Sequence, residues 1–209
     1  MTMPNWCNNF ITISGDKEKM KPIYDFFYDN KDTTDTELLV MNTLIPHDEE
    51  YRKIEESGDF LLNPQTSFYG TKWDFSLVEA NVNQLDEDCI TFAPLTAWAP
   101  PSEFCRRLTA KYGVDVTISF DEPGIGFIGE EEFADGEMTG QIMYDDYLEG
   151  MYRLQPESFW ENEVFNTMEY NKEEGKTFEE VLQESFTFIT KESEIEQLKE
   201  VYDEIEVDE

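Results

Sequence analysis

The chain has 209 residues, 39% of them hydrophobic and 14% aromatic, with a formal net charge of −33. So many large apolar side chains can offset the entropy cost of ordering a chain, so a folded protein is expected despite the charge. A field of this sign repels nucleic-acid phosphates and anionic membranes, which argues against direct nucleic-acid binding and favours a basic protein surface as partner. Residues 1–120 hold 20 acids and 10 bases, whereas residues 121–209 hold 28 acids and only 5 bases. No apolar run approaches the roughly 18 residues of a spanning helix, and the opening MTMPNWCNN has neither a basic patch nor an apolar h-region. A cytoplasmic location is therefore expected.

The first strand is expected over Trp6 to Ser14, where Ile11 and Ile13 alternate with Phe10 and Thr12 before Gly15. Asp16 then reads as a helix cap, followed by an apolar stripe of Met20, Ile23, Tyr24, Phe26 and Phe27 at helical spacing despite Pro22. Residues 29–71 are polar and weakly periodic, and read as a long, partly helical connection. Trp73, Phe75 and Leu77 alternating with Val78, Ala80 and Val82 predict a strand from Thr71 to Leu85, and Ile90 to Trp98 predicts its hairpin partner. Pro94 cannot donate to a ladder and predicts a bulge or edge contact within that partner.

Ser102 to Tyr112 reads as an amphipathic helix closed by Gly113, and Val114 to Phe120 as the next strand. The order βαββαβ predicts an α+β, ferredoxin-like antiparallel sheet with two helices on one face. Residues 127–144 add a hairpin turning at Asp135-Gly136, and residues from Pro156 onward read as helices. Trp160, Val164, Phe165, Leu182, Phe186 and Phe188 in that helical part need burial, so it is expected to dock on the sheet. The terminal VYDEIEVDE is expected to fray, since like charges repel and nothing in the sequence caps them. The expected division is a ferredoxin-like domain over residues 1–130 and an acidic hairpin and helical extension over residues 131–209. Exposed apolar faces on the added helices would favour a homodimer.

Three separated segments, PNWCNN at 4–9, YGTKWD at 69–74 and TAWAPP at 96–101, appear in order along this pattern. With them the chain resembles the YubB-like ferredoxin-like domain family of uncharacterised plasmid and bacteriophage proteins. Ala99 departs from the serine frequent in that family, and Pro94 with Leu95 interrupts its aromatic approach to TAW. The resemblance implies a fold and a mobile-element source, and no established activity. In the ferredoxin-like topology Gly70 to Asp74 approach Thr96, Trp98, Pro100 and Pro101; either Trp73 and Trp98 cover the sheet while Lys72 and Asp74 satisfy local polar groups, or Lys72, Trp73, Asp74, Thr96 and Trp98 form a ligand or partner cleft. Asn5, Trp6, Asn8 and Asn9 would begin a strand parallel to the third and lie nearer the opposite end.

Chemical motifs are sparse. Three cysteines, Cys7, Cys89 and Cys105, lack paired spacing, so a disulfide framework or zinc site is not expected. The single histidine, His47, has no second histidine to share a metal and reads as a solvated loop residue. GIGFIG at 124–129 has glycine spacing without the strand-to-helix context of a phosphate cradle. No catalytic set, metal site or cofactor is expected, and an enzyme is disfavoured. Glu130, Glu131, Glu132, Asp135 and Glu137, together with Glu173, Glu174, Glu179 and Glu180, are the candidate acidic surface for a basic host protein. The resulting expectation is a non-enzymatic phage or plasmid interaction protein that acts as a nucleic-acid mimic or blocks host defence. The alternative is a small-ligand or enzymatic module at the tryptophan end of the sheet.

Overall fold

A computed structural model describes residues 5–58 and 63–206. The chain divides into two compact units, Met1–Met143 and Tyr144–Glu209. The division falls beyond residue 130 because the expected hairpin belongs to the sheet: β6 (Phe127–Ala134) pairs with β5 (Asp115–Glu122), and β7 (Glu137–Tyr144) pairs with β6. The first unit carries 27 acids and 10 bases, and the second carries 21 acids and 5 bases in far fewer residues.

The first unit is an α+β, ferredoxin-like assembly built on an antiparallel sheet. Its remaining strands are β1 (Trp6–Ser14), β2 (Val82–Leu85), β3 (Cys89–Phe92) and β4 (Leu95–Ala97). The order across the sheet is β2-β3-β1-β5-β6-β7, with β4 also paired to β1. Alternation along β1 sends Cys7, Ile11 and Ile13 to one face, where they join Ile90, Phe92, Val116, Ile118 and Phe120 in the core. That core is closed by helices α1 (Lys17–Asp29) and α5 (Ser102–Tyr112), through Met20, Ile23 and Phe27 on one and Phe104, Cys105 and Leu108 on the other. Asp16 stands at the cap of α1 through its carbonyl, which accepts from Lys19 and Met20, and not through its side chain.

Among the described residues of the expected connection are three short helices, α2 (Val40–Leu44), α3 (Glu49–Ser57) and α4 (Pro64–Tyr69). The expected strand over 71–85 shrinks to β2. Upstream of it, side chains compete with the ladder for the backbone: Asp74 accepts from the N–H groups of Met41, Asn42 and Phe75, and Ser76 and Glu79 form a capping box around the turn Leu77–Glu79. The predicted third strand is split into β3 and β4 at Pro94, in the position the sequence marks as defective. Asn9 bridges the break, its Nδ2 donating to the carbonyls of Pro94 and Cys7 and to the Thr96 hydroxyl.

The neighbouring strand senses differ from the expectation. β1 runs antiparallel to β3, β4 and β5, with Trp6 opposite Ala97 and Cys7 opposite Thr96. Trp6 and Asn8 therefore sit at the same end of the sheet as Trp98, not the opposite one. The crossover through the helices leaves β2 parallel to β1, and the β2-β3 hairpin then brings β3 back antiparallel to β1, so an antiparallel sheet of order β2-β3-β1-β5 requires this sense.

The second unit comprises α6 (Tyr147–Leu154), α7 (Pro156–Ser158), a π-helical turn at Phe159–Glu163, α8 (Val164–Glu173), α9 (Phe178–Ser185) and α10 (Glu192–Glu204). Its aromatic residues close on one another: Phe159 and Phe186 are fully buried, and Phe159 packs edge-on against Tyr152, Trp160 and Phe186. The chain end is also better tied than its charge suggests. Lys172 Nζ donates to the carbonyls of Tyr202 and Ile205, and Leu198 is buried, while residues 207–209 of the expected frayed tail lie outside the described residues. No helix among the described residues is long and apolar enough to cross a membrane.

Candidate functional site

The tryptophan segments converge at one end of the first unit's sheet. Trp6 begins β1, Trp73 lies in the loop after α4, and Trp98 follows β4. The Trp6 and Trp73 rings are 6.2 Å apart and tilted by 52°. Lys72 Nζ lies 4.7 Å from the Trp73 ring and 4.5 Å from the Trp98 ring, so the ammonium is held against two aromatic faces. Trp98 has φ of 70°, an uncommon conformation for a bulky residue, and its N–H donates to the Asn5 carbonyl. Thr96 holds the following turn by donating to the Ala99 carbonyl at 2.7 Å. Pro4, at the start of the first tryptophan segment, lies outside the described residues.

Gly70 makes this convergence sterically feasible. Its φ is 93°, and a Cβ there would meet the Pro100 carbonyl and the Ser102 nitrogen at 3.0 Å each. Only glycine lets the YGTKWD loop approach the TAWAPP turn this closely. Thr71, fully buried, then spans to β4, its hydroxyl donating to the Ala97 carbonyl and accepting from the Ala97 N–H.

Trp6, Trp73, Phe75, Val78, Glu79, Asn81 and Leu95 to Ala97 line a groove of about 520 Å³. Trp6, Trp73, Val78 and Leu95 are all 43–48% exposed, so large apolar side chains meet water in one contiguous patch. Contiguous exposed apolar side chains of this kind are what contact sites are built from. Asp74 borders the groove, but its carboxylate is consumed by three backbone N–H groups. Burial nonetheless pushes its pKa up, with those bonds opposing the shift. These bonds tie the first turn of α2 to the loop that carries Trp73.

Of the five cleft candidates, Trp73, Asp74 and Thr96 line this groove, with Thr96 turned inward, while Lys72 and Trp98 meet each other beside Trp73 and do not line it. What sequence reasoning missed is Trp6, Val78 and Leu95. The signal for Trp6 was present in the NWC segment, but the assumed strand sense placed it elsewhere.

The acidic candidates fall in both units. Glu130 and Glu132 are exposed on β6, Asp135 with Gly136 makes the β6–β7 turn, and Glu137 opens β7. Glu131 between them is buried at 5% exposure: Oε1 accepts from Gln141, and Oε2 has no partner among the described residues. It is therefore removed from the surface set, because period-two alternation turns it to the helix side. Glu173, Glu174, Glu179 and Glu180 are exposed in the second unit, where Glu180 caps α9 through Thr177.

Cys7 and Cys105 are buried, and burial raises both thiols well above the usual range. His47 is exposed yet stacked on Tyr51 at 3.6 Å, and partial desolvation lowers its pKa. Among the described residues no group of three or more His, Cys, Asp or Glu is arranged to hold a metal ion.

Residues 68–159 match the family model of the ferredoxin-like domain in Api92-like protein. The chain thus contains a region similar to that ferredoxin-like domain, spanning YGTKWD and TAWAPP but not PNWCNN. Among solved structures, a crystal structure of a protein Api92 from Yersinia pseudotuberculosis is similar at 11% identity and a TM-score of 0.43, over 68% of this chain and 98% of that one. No curated protein matches the sequence.

Proposed function

We propose that this Api92-like chain is a non-enzymatic interaction protein that engages a basic surface on another protein. The observation that carries this reading is the half-exposed groove of Trp6, Trp73, Val78 and Leu95 on a unit with 27 acids and 10 bases. The apolar groove supplies contact area, and the negative field steers a positive partner and disfavours wrong ones. With the resemblance to YubB-like proteins, the fitting context is a plasmid or phage protein in the host cytoplasm. Its partner there would be a host protein that normally grips nucleic acid. Occupying such a surface would mimic nucleic acid and could blunt host defence.

The test is retention of host proteins on the immobilised chain at low and high salt. The captured proteins should be more basic than the lysate as a whole and should elute steeply with salt. Trp73→Ala, with an unchanged circular dichroism spectrum, should cut retention several-fold at fixed salt. Salt-independent capture, or a set no more basic than the lysate, would sink the reading. The competing small-ligand reading predicts instead that Trp73→Ala abolishes a binding event indifferent to salt.

A further inference from the structure

We propose that the partner contributes an extended, lysine-bearing segment that adds to the sheet as a short strand paired with Leu95. This rests on the interaction reading above and specifies what occupies its groove. In an antiparallel ladder the main-chain groups of successive residues point alternately to the two edges. Thr96 lies opposite Cys7, and the Trp98 N–H donates to Asn5 on the β1 side, so these residues face β1. Leu95 and Ala97 face the other edge.

Both neighbours of Leu95 on that edge are already closed. The N–H and C=O of Ala97 are taken by the Thr71 hydroxyl at 3.2 and 3.1 Å. The N–H of Ala93 donates to the carbonyls of Ala80 and Asn81, and its C=O accepts from Asn81 Nδ2. Between them, no described residue bonds the main-chain N–H or C=O of Leu95 on this edge, and the groove runs alongside it. One open rung in an otherwise capped edge matches one residue of a guest strand, which would exchange both N–H···O bonds with Leu95.

The surroundings select the guest's chemistry. Trp6, Trp73 and Val78 offer apolar contact to its side chains, and Glu79 lines the groove. The surplus of 27 acids over 10 bases in this unit favours lysines along the segment. A small molecule would satisfy the apolar wall without matching the paired donor and acceptor of a rung.

The probe is a pool of capped hexapeptides with lysine at alternate positions and valine, leucine, phenylalanine or tyrosine between them. Its control is the same pool N-methylated at every internal amide, which keeps charge and side chains but removes the main-chain donors. Tryptophan fluorescence of the full chain reads binding, and amide hydrogen exchange reads Leu95. The expected result is at least tenfold weaker binding of the methylated pool, and slowed exchange at Leu95 when the parent pool saturates. Equal affinity of the two pools, absence of binding, or unchanged exchange at Leu95 each overturns strand addition. Equal affinity with steep salt dependence would do so while leaving the basic-surface reading standing, whereas failure of the lysate test removes that reading itself.

Discussion

Thr71 and Ala97 form a closed exchange across the groove edge: one buried hydroxyl donates to the Ala97 carbonyl at 3.1 Å and accepts from its N–H at 3.2 Å. A side chain thereby takes the place of a neighbouring strand, and 26 residues of chain separation are bridged without a ladder. The tryptophan convergence hangs on this contact, since Lys72 and Trp73 follow Thr71 directly.

Thr71→Val keeps the shape and removes both bonds. Thr71 is fully buried and Ala97 is 2% exposed, so the peptide groups left behind cannot turn to water. A loss of about 1–3 kcal/mol is expected. It should appear as a lower urea midpoint with an unchanged slope; an unaltered midpoint would show that the exchange is energetically idle.

Gly70→Ala and Gly58→Ala separate backbone strain from steric contact. Both glycines have positive φ, but a Cβ at Gly58 meets nothing within 4 Å, whereas at Gly70 it meets Pro100 and Ser102 backbone at 3.0 Å. Gly58→Ala should cost about 1–2 kcal/mol, from the left-handed conformation alone. Gly70→Ala should cost more and should also change the tryptophan fluorescence, because the loop carrying Trp73 must move. Equal costs with unchanged fluorescence would refute the close-approach argument.

The pairing of Glu50 with Arg107 predicts an acid-limb effect. Arg107 donates both terminal nitrogens to the Glu50 carboxylate and its Nε to the Phe68 carbonyl. The Arg107 guanidinium holds the Glu50 carboxyl below its ordinary value. A depressed acid contributes stability that is present above its unfolded pKa and is lost as pH falls through the folded one. Glu50 is largely exposed, so the difference between wild type and Glu50→Gln should be about 0.2–1 kcal/mol at neutral pH and should vanish on acidification. Unfolding followed from neutral pH to below the carboxylate range checks this, and a difference constant with pH would exclude the ion pair as its source.

Some of the fold is legible in local pattern. The stripe of Met20, Ile23 and Phe27 gives α1 because burial on one helical face repeats every three to four residues. Gly113 marks the end of α5 because it adopts φ of 67° there, and Asp135-Gly136 marks its turn for the same reason. The loop over 71–81 was not legible. Phe75 and Leu77 alternate like a strand, but Asp74, Ser76 and Glu79 bind backbone groups that a strand would need.

The sequence by itself determined the composition of this protein's contacts: a strong negative charge, three tryptophan segments, and strands and helices in βαββαβ order. These follow from residue type and short-range periodicity. Tertiary structure alone decided the register that sets Trp6 opposite Ala97, which puts Trp6 beside Trp73 and leaves Leu95 facing a groove. It also decided that Glu131 is buried while Glu130 and Glu132 face water. Which residues of β1 and β4 stand opposite one another depends on how the intervening chain returns, and the burial of one acid among three depends on which face the helices cover.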